Sequence, residues 1–166
     1  GTHSAKLANF GEASGQVDEF MSRAIDLSSI TAATNVTFSF RYAYRKVASA
    51  NNDFLKVLLT ANCGSSWDIR RTLTATTMSG SNVVTSAWTP AQNDWITVHM
   101  TNVTSTYWNP DFRFKFQFTS GGGNNVYVDD INIYAGPPSD NIVLGLSDFG
   151  TLESIQLFPN PADNEI

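Results

Sequence analysis

The sequence predicts an all-β fold, a jelly-roll-like β-sandwich of two antiparallel sheets. Three observations predict it. From Val36 to Arg45 the even positions are Val, Phe, Phe, Tyr and Tyr, and the odd ones are small or polar. That period of two marks a strand with one buried and one solvated face. From Phe112 to Phe118 the pattern repeats, with four Phe on one side and Arg113, Lys115 and Gln117 on the other. Between such runs stand clusters of Ser, Asn and Gly, the chemistry of turns.

In chain order, the candidate strands are residues 4–9, 20–27, 36–45, 53–60, 68–73, 83–85, 95–100, 112–118 and 125–134. Ser49 with Asn51-Asn52 separates the third from the fourth, and residues 79–82 form a loop. Ser120-Gly121-Gly122-Gly123-Asn124 is a tight reversal that needs the positive φ of glycine. No amphipathic helical pattern interrupts the series. Eight or nine short strands joined by turns point to two packed antiparallel sheets.

The last strand carries an irregularity. Val126 and Val128 are even, whereas Ile131 and Ile133 are odd, so the apolar phase flips across Asp129-Asp130. One extra residue there, a β-bulge, accounts for the flip. The sandwich is expected over residues 1–135. A Gly-Pro-Pro linker and a weakly apolar segment follow over residues 136–156.

Composition narrows the function. The chain has 166 residues, enough for one domain with its own core. Its net charge is −5, and the basic residues pair up only at Arg45-Lys46 and Arg70-Arg71. Nucleic-acid surfaces need a basic stripe, so that partner is excluded. Ser, Thr, Asn and Gln supply much of the polar surface, as in many secreted β-proteins. Cys63 is the single cysteine, which excludes an intramolecular disulfide. No apolar run reaches the length of a membrane-spanning helix.

Catalysis finds little support. The histidines are His3 and His99, and no His-Glu-x-x-His motif is present. A Cys63–His99 nucleophile pair would need an activating environment, but Asn62-Cys63-Gly64-Ser65-Ser66 reads as a turn. The chain is read as no enzyme.

Two stretches resemble known families. Leu157-Phe158-Pro159-Asn160-Pro161-Ala162 is similar to the opening of the type A C-terminal sorting domain of type IX secretion substrates. Residues 157–166 would then be the start of a truncated sorting domain. The body resembles the jelly-roll, MAM-like accessory module of secreted proteins such as pappalysin-like metallopeptidases. The matching pieces include Asp53-Phe54-Leu55-Lys56-Val57, Asn62-Cys63-Gly64-Ser65-Ser66-Trp67, Trp95-Ile96-Thr97-Val98 and Asn125-Val126-Tyr127-Val128-Asp129-Asp130-Ile131. The resemblance implies a secreted or cell-surface location and a non-catalytic role beside a parent catalytic domain. It also implies contact with the type IX secretion machinery through the tail.

Calcium is the expected cofactor. It takes six to eight oxygens, and adjacent Asp129 and Asp130 at a bulge could supply charge and freed carbonyls. By resemblance, Asp53 with Asp129 or Asp130 would hold a structural calcium, joined by Asn9, Glu12 or Asp18. The alternative is that these side chains cap strands and accept backbone N–H bonds.

Sugar binding needs exposed rings. Tyr107-Trp108 and Trp88 sit in polar loops and would form a stacking platform if they shared one rim. Trp67 and Trp95 are expected in the core. Arg41, Arg45, Arg113 and Lys115 would form a basic patch if their two strands were neighbours. Two functions follow. One is a module that binds a polysaccharide or an extracellular protein. The other is a spacer that packs against a catalytic peptidase domain and presents the sorting tail.

Overall fold

The computed structural model describes residues 3–30 and 35–140. Eight strands build it: β1 (Ala5–Leu7), β2 (Val17–Met21), β3 (Val36–Tyr44), β4 (Phe54–Thr60), β5 (Asp68–Thr74), β6 (Ile96–Met100), β7 (Arg113–Thr119) and β8 (Val126–Ala135). They form two four-stranded sheets, ordered β1-β8-β3-β6 and β2-β7-β4-β5. Every strand pair is antiparallel. This is the expected β-sandwich.

The two aromatic combs meet in the middle. β3 brings Phe38, Phe40, Tyr42 and Tyr44 inward from one sheet, and Phe112 and β7 bring Phe112, Phe114, Phe116 and Phe118 from the other. Phe38 packs edge-on to Phe114 at 5.0 Å, and Phe40 edge-on to Phe116 at 4.9 Å. Phe20 of β2 stacks on Phe116 at 4.9 Å. Each fully buried ring contributes on the order of 2–3 kcal/mol through area removed from water.

Three local expectations need correction. No helix was expected, yet residues 75–79 are helical: α1 (Ala75–Ser79) follows β5 directly. Five residues are too few to show a 3.6-residue period, so only the caps reveal it. The Thr74 side chain accepts from the Thr77 amide, and Gly80 ends the turn at φ 58°. Val83 makes a single bridge to Lys46, and no strand forms over residues 83–85. The second strand starts earlier, at Val17, and the chain beyond it touches β7's lead-in through an Ile25–Phe112 bridge.

The outer face of β3 also departs from expectation. Thr37, Ser39 and Ala43 are buried although their phase points away from the core. β3 is an inner strand, and two chain segments lie over it. Residues 84–95 cover one end, where Tyr127 donates its hydroxyl to the Trp88 carbonyl at 2.9 Å. Residues 136–140 cover the other, where Thr37 donates to the Gly136 carbonyl at 2.7 Å.

The bulge is where the phase flip placed it. Ser39 faces Asn132 and Arg41 faces Asp129, so Asp130 and Ile131 together oppose Phe40. Asp130 adopts φ 48°, a left-handed conformation that Asp tolerates better than most residues. As a result, Asp129, Asp130 and Asn132 all lie on the outer side, while Ile131 packs against the core.

Candidate functional site

Two polar arrangements emerge, one inside the fold and one on its face. The inner one centres on Asp53, just before β4 and wholly buried. Its Oδ1 accepts from the amides of Gly121 (2.8 Å) and Gly123 (3.1 Å) and from Asn9 Nδ2 (3.1 Å). Its Oδ2 accepts the Tyr44 hydroxyl at 2.6 Å. A carboxylate out of water needs such donors. Burial and the Asp53 carboxylate push the Tyr44 phenol far up from its ordinary value.

The knot fixes the glycine loop. A Cβ on Gly123 would fall 2.1 Å from the Tyr44 oxygen, and one on Gly121 would fall 2.4 Å from the Asn52 carbonyl carbon. Asn124, fully buried, extends the grip outward. Its Oδ1 accepts from the Trp88 amide at 3.0 Å, and its Nδ2 donates to the carbonyls of Val84 (3.3 Å) and Ser86 (2.7 Å). The loop thereby pins the segment that leads to Trp95.

Calcium must be tested against this chemistry. Of the six ligands expected from the sequence, Asp53 and Asn9 come together; Asp129 and Asp130 lie on β8 of the other sheet, Asp18 is exposed on β2 opposite Phe118, and Glu12 is exposed in the turn after Asn9. Around Asp53 stand N–H and O–H groups, and Asn9 presents its nitrogen there. That nitrogen also donates to the Gly123 and Asn124 carbonyls at 3.1 and 3.2 Å. Among the described residues, no three His, Cys, Asp or Glu side chains gather as a metal group. The residues present do not fit one oxygen shell of the size calcium takes.

The outer arrangement is a groove across the β1-β8-β3-β6 sheet. Its floor has two rows of side chains: Thr97, Arg41 and Asp129 in register, then His99, Ser39 and Asn132. Two clefts lie over them, of about 280 and 370 Å³, and both are lined by Arg41 and Asp130. Those two side chains form an ion pair at 3.5 Å, partly exposed. Trp95 and Tyr127 wall the first cleft, with Gln92 beside them, and Arg41 lies 6.0 Å from the Trp95 ring centre. Asp140 closes the second cleft and meets His99 Nε2 at 2.9 Å.

The expected aromatic platform is not assembled. Trp88 belongs to the glycine-loop end, edge-on to Tyr127 and beneath the Arg45 guanidinium. Tyr107 lies at the Phe112 end, 2% exposed, donating to Asp68 at 2.7 Å. Trp108 packs against the core with its Nε1 bound to the Val103 carbonyl at 3.1 Å. Trp95, expected in the core, lines the groove instead. One signal was available, since in the strand expected over residues 95–100 the apolar positions Val98 and Met100 are even, and alternation puts Trp95 on the other face.

The basic patch does not form either, because β3 and β7 belong to different sheets. Arg41 pairs with Asp130, Arg45 with Asp94 and Lys115 with Glu19. Arg113 donates to the carbonyls of Ser22 and Cys63. Cys63 and His99 have separate partners: the thiol meets Asp111 at 3.3 Å, and His99 meets Asp140. The hydrogen bond to Asp111 pushes the thiol pKa up, opposite to what a nucleophile needs.

No protein-family model matches the chain, and no curated protein matches it. A similar solved structure is that of Caldicellulosiruptor saccharolyticus CBM27-1 in complex with mannohexaose. It is 14% identical, with a TM-score of 0.45, covering 77% of this chain and 72% of that one. The fold assignment rests on this chain's own strand order and core. No described helix is long and apolar enough to cross a membrane. The sorting signature at residues 157–166 lies outside the described residues.

Proposed function

We propose that this domain is a non-catalytic binding module that takes a glycan chain in the groove of the β1-β8-β3-β6 sheet. One observation carries the reading. The two clefts share Arg41 and Asp130 in their linings, and the polar trough they make up has a partly exposed tryptophan in the wall of the first. A sugar presents hydroxyls at its edge and C–H groups on its face. The trough offers amide, hydroxyl, carboxylate and guanidinium partners for the first, and the Trp95 ring for the second.

In this reading the domain is an accessory module of a larger secreted protein. It would hold a catalytic partner near its polymer and so raise effective concentration. The spacer alternative needs a broad apolar docking surface. The large exposed apolar side chains among the described residues are Phe10, Val17, Ile69, Val83 and Ile96, spread over separate elements.

The test is affinity electrophoresis in gels containing soluble polysaccharides, with the Trp95→Ala variant alongside. Retardation of the wild type, weakened at least roughly tenfold in the variant, supports the reading. Equal retardation of both would move the site away from the groove.

A further inference from the structure

We infer that the groove selects uncharged glycans and rejects those bearing carboxylate or sulfate groups. The inference rests on the binding reading above and adds the ligand class to it. Its basis is the charge the bulge delivers. In an unbroken strand Asp129 and Asp130 would point to opposite faces. The extra residue places both on the outer side, where both line the first cleft.

Asp140 lines the second cleft, so three carboxylates surround the trough. The guanidinium of Arg41 is the cation facing them among the described Lys and Arg residues that line either cleft, and it is engaged with Asp130. Arg45, just past the end of the same strand, is turned to Asp94. His3, His99 and the neutral phenol of Tyr127 complete the titratable lining. With histidines counted neutral, the trough carries two net negative charges, in a chain whose own net charge is −5.

A uronate or sulfated chain entering this trough meets like charge from both clefts and finds no free arginine. A neutral chain meets carboxylate oxygens as hydrogen-bond acceptors for its hydroxyls, and such charge-assisted bonds are the stronger kind. Electrostatics of this sort governs which partner is refused more than how tightly the right one is held.

The experiment compares neutral polymers (xyloglucan, galactomannan, hydroxyethylcellulose) with acidic ones (polygalacturonate, alginate, chondroitin sulfate) in the same gels. The second protein is the Asp129→Asn/Asp130→Asn/Asp140→Asn variant. Asn keeps the shape and one oxygen at each position, and it suits the positive φ of residue 130. Thermal melts check its folding.

The wild type is expected to bind at least one neutral polymer, and acidic ones at least about tenfold more weakly. The variant is expected to gain acidic binding. An independent arm raises salt to about 1 M, where the Debye length falls to about 3 Å and the wild-type discrimination should shrink. Equal or tighter wild-type binding of acidic polymers overturns the inference and leaves the groove reading standing. A folded variant that gains nothing also overturns it. Failure to bind any polymer, neutral or acidic, overturns the groove reading itself, and this inference with it.

Discussion

The Tyr44 hydroxyl donates to Asp53 at 2.6 Å, between two side chains with no solvent exposure. The contact ties the end of β3 to the start of β4, and through Asp53 to the glycine loop before β8. A buried carboxylate with four donors is a strong constraint, because removing it takes their shared partner from the two glycine amides and the Tyr44 hydroxyl at once.

Asp53→Ala is therefore expected to destabilise the domain by about 3 kcal/mol or more. For a domain of this size that lowers Tm by about 6–12 °C. Asp53→Asn should fall less, since its oxygen still serves the glycine amides and the Tyr44 hydroxyl can turn to accept. Gly123→Ala should resemble Asp53→Ala, because its methyl has no room beside Tyr44 and Asp53. Calorimetry separates these cases, and a Gly123→Ala protein as stable as wild type would refute the tight approach.

The two tryptophans should part company. Trp108→Ala removes a ring packed on the core and is expected to cost about 2–4 kcal/mol while leaving glycan binding in place. Trp95→Ala should do the reverse, losing binding with little change in melting. Loss of binding in a stable Trp108→Ala protein would return the site to the Tyr107–Trp108 end.

Alkaline pH should unfold the domain progressively. Burial, then the hydrogen bond to Asp68, push the Tyr107 phenol up to about 12, against about 10 for an ordinary tyrosine. A folded-state pKa above the unfolded one gives stability that is whole below about pH 10 and is lost as pH rises through 12. Tyr44 shifts the same way and further. Urea midpoints of Tyr107→Phe should fall less steeply over pH 10–12 than those of wild type. An identical slope would assign the effect to Tyr44 and Tyr42, whose phenols burial also raises.

Calcium is expected to leave the melting temperature unchanged, because the oxygens of Asp53 already face protein donors. Melting curves in calcium and in EGTA check this. A rise with calcium would mean that Asn9 turns its oxygen inward and that the Gly123 and Asn124 carbonyls take the cation with Asp53.

Asn124 should behave as a positioning residue. Asn124→Ala frees the backbone of residues 84–88 from the glycine loop. Glycan affinity should drop although residue 124 does not line the groove, and Trp95 fluorescence should become more solvent-exposed. Unchanged fluorescence and affinity would show that the wall holds itself.

The sequence by itself determined the architecture and one of its irregularities. Alternation at residues 36–45 and 112–118 could be satisfied only by a buried face on each strand, and the phase flip at Asp129-Asp130 required an extra residue. Both are local patterns, set by the two-residue repeat of a strand. The short helix at Ala75–Ser79 escaped because a period needs more length than five residues offer. Tertiary structure alone decided which polar residues meet. Asp53 and Asn9 are 44 positions apart, and Asp53 and Gly123 are 70 apart. The exchange of roles between Trp95 and Trp108 has the same origin. Both rings stand beside similar polar residues in the chain, and burial is a property of what the other strands bring to them in space.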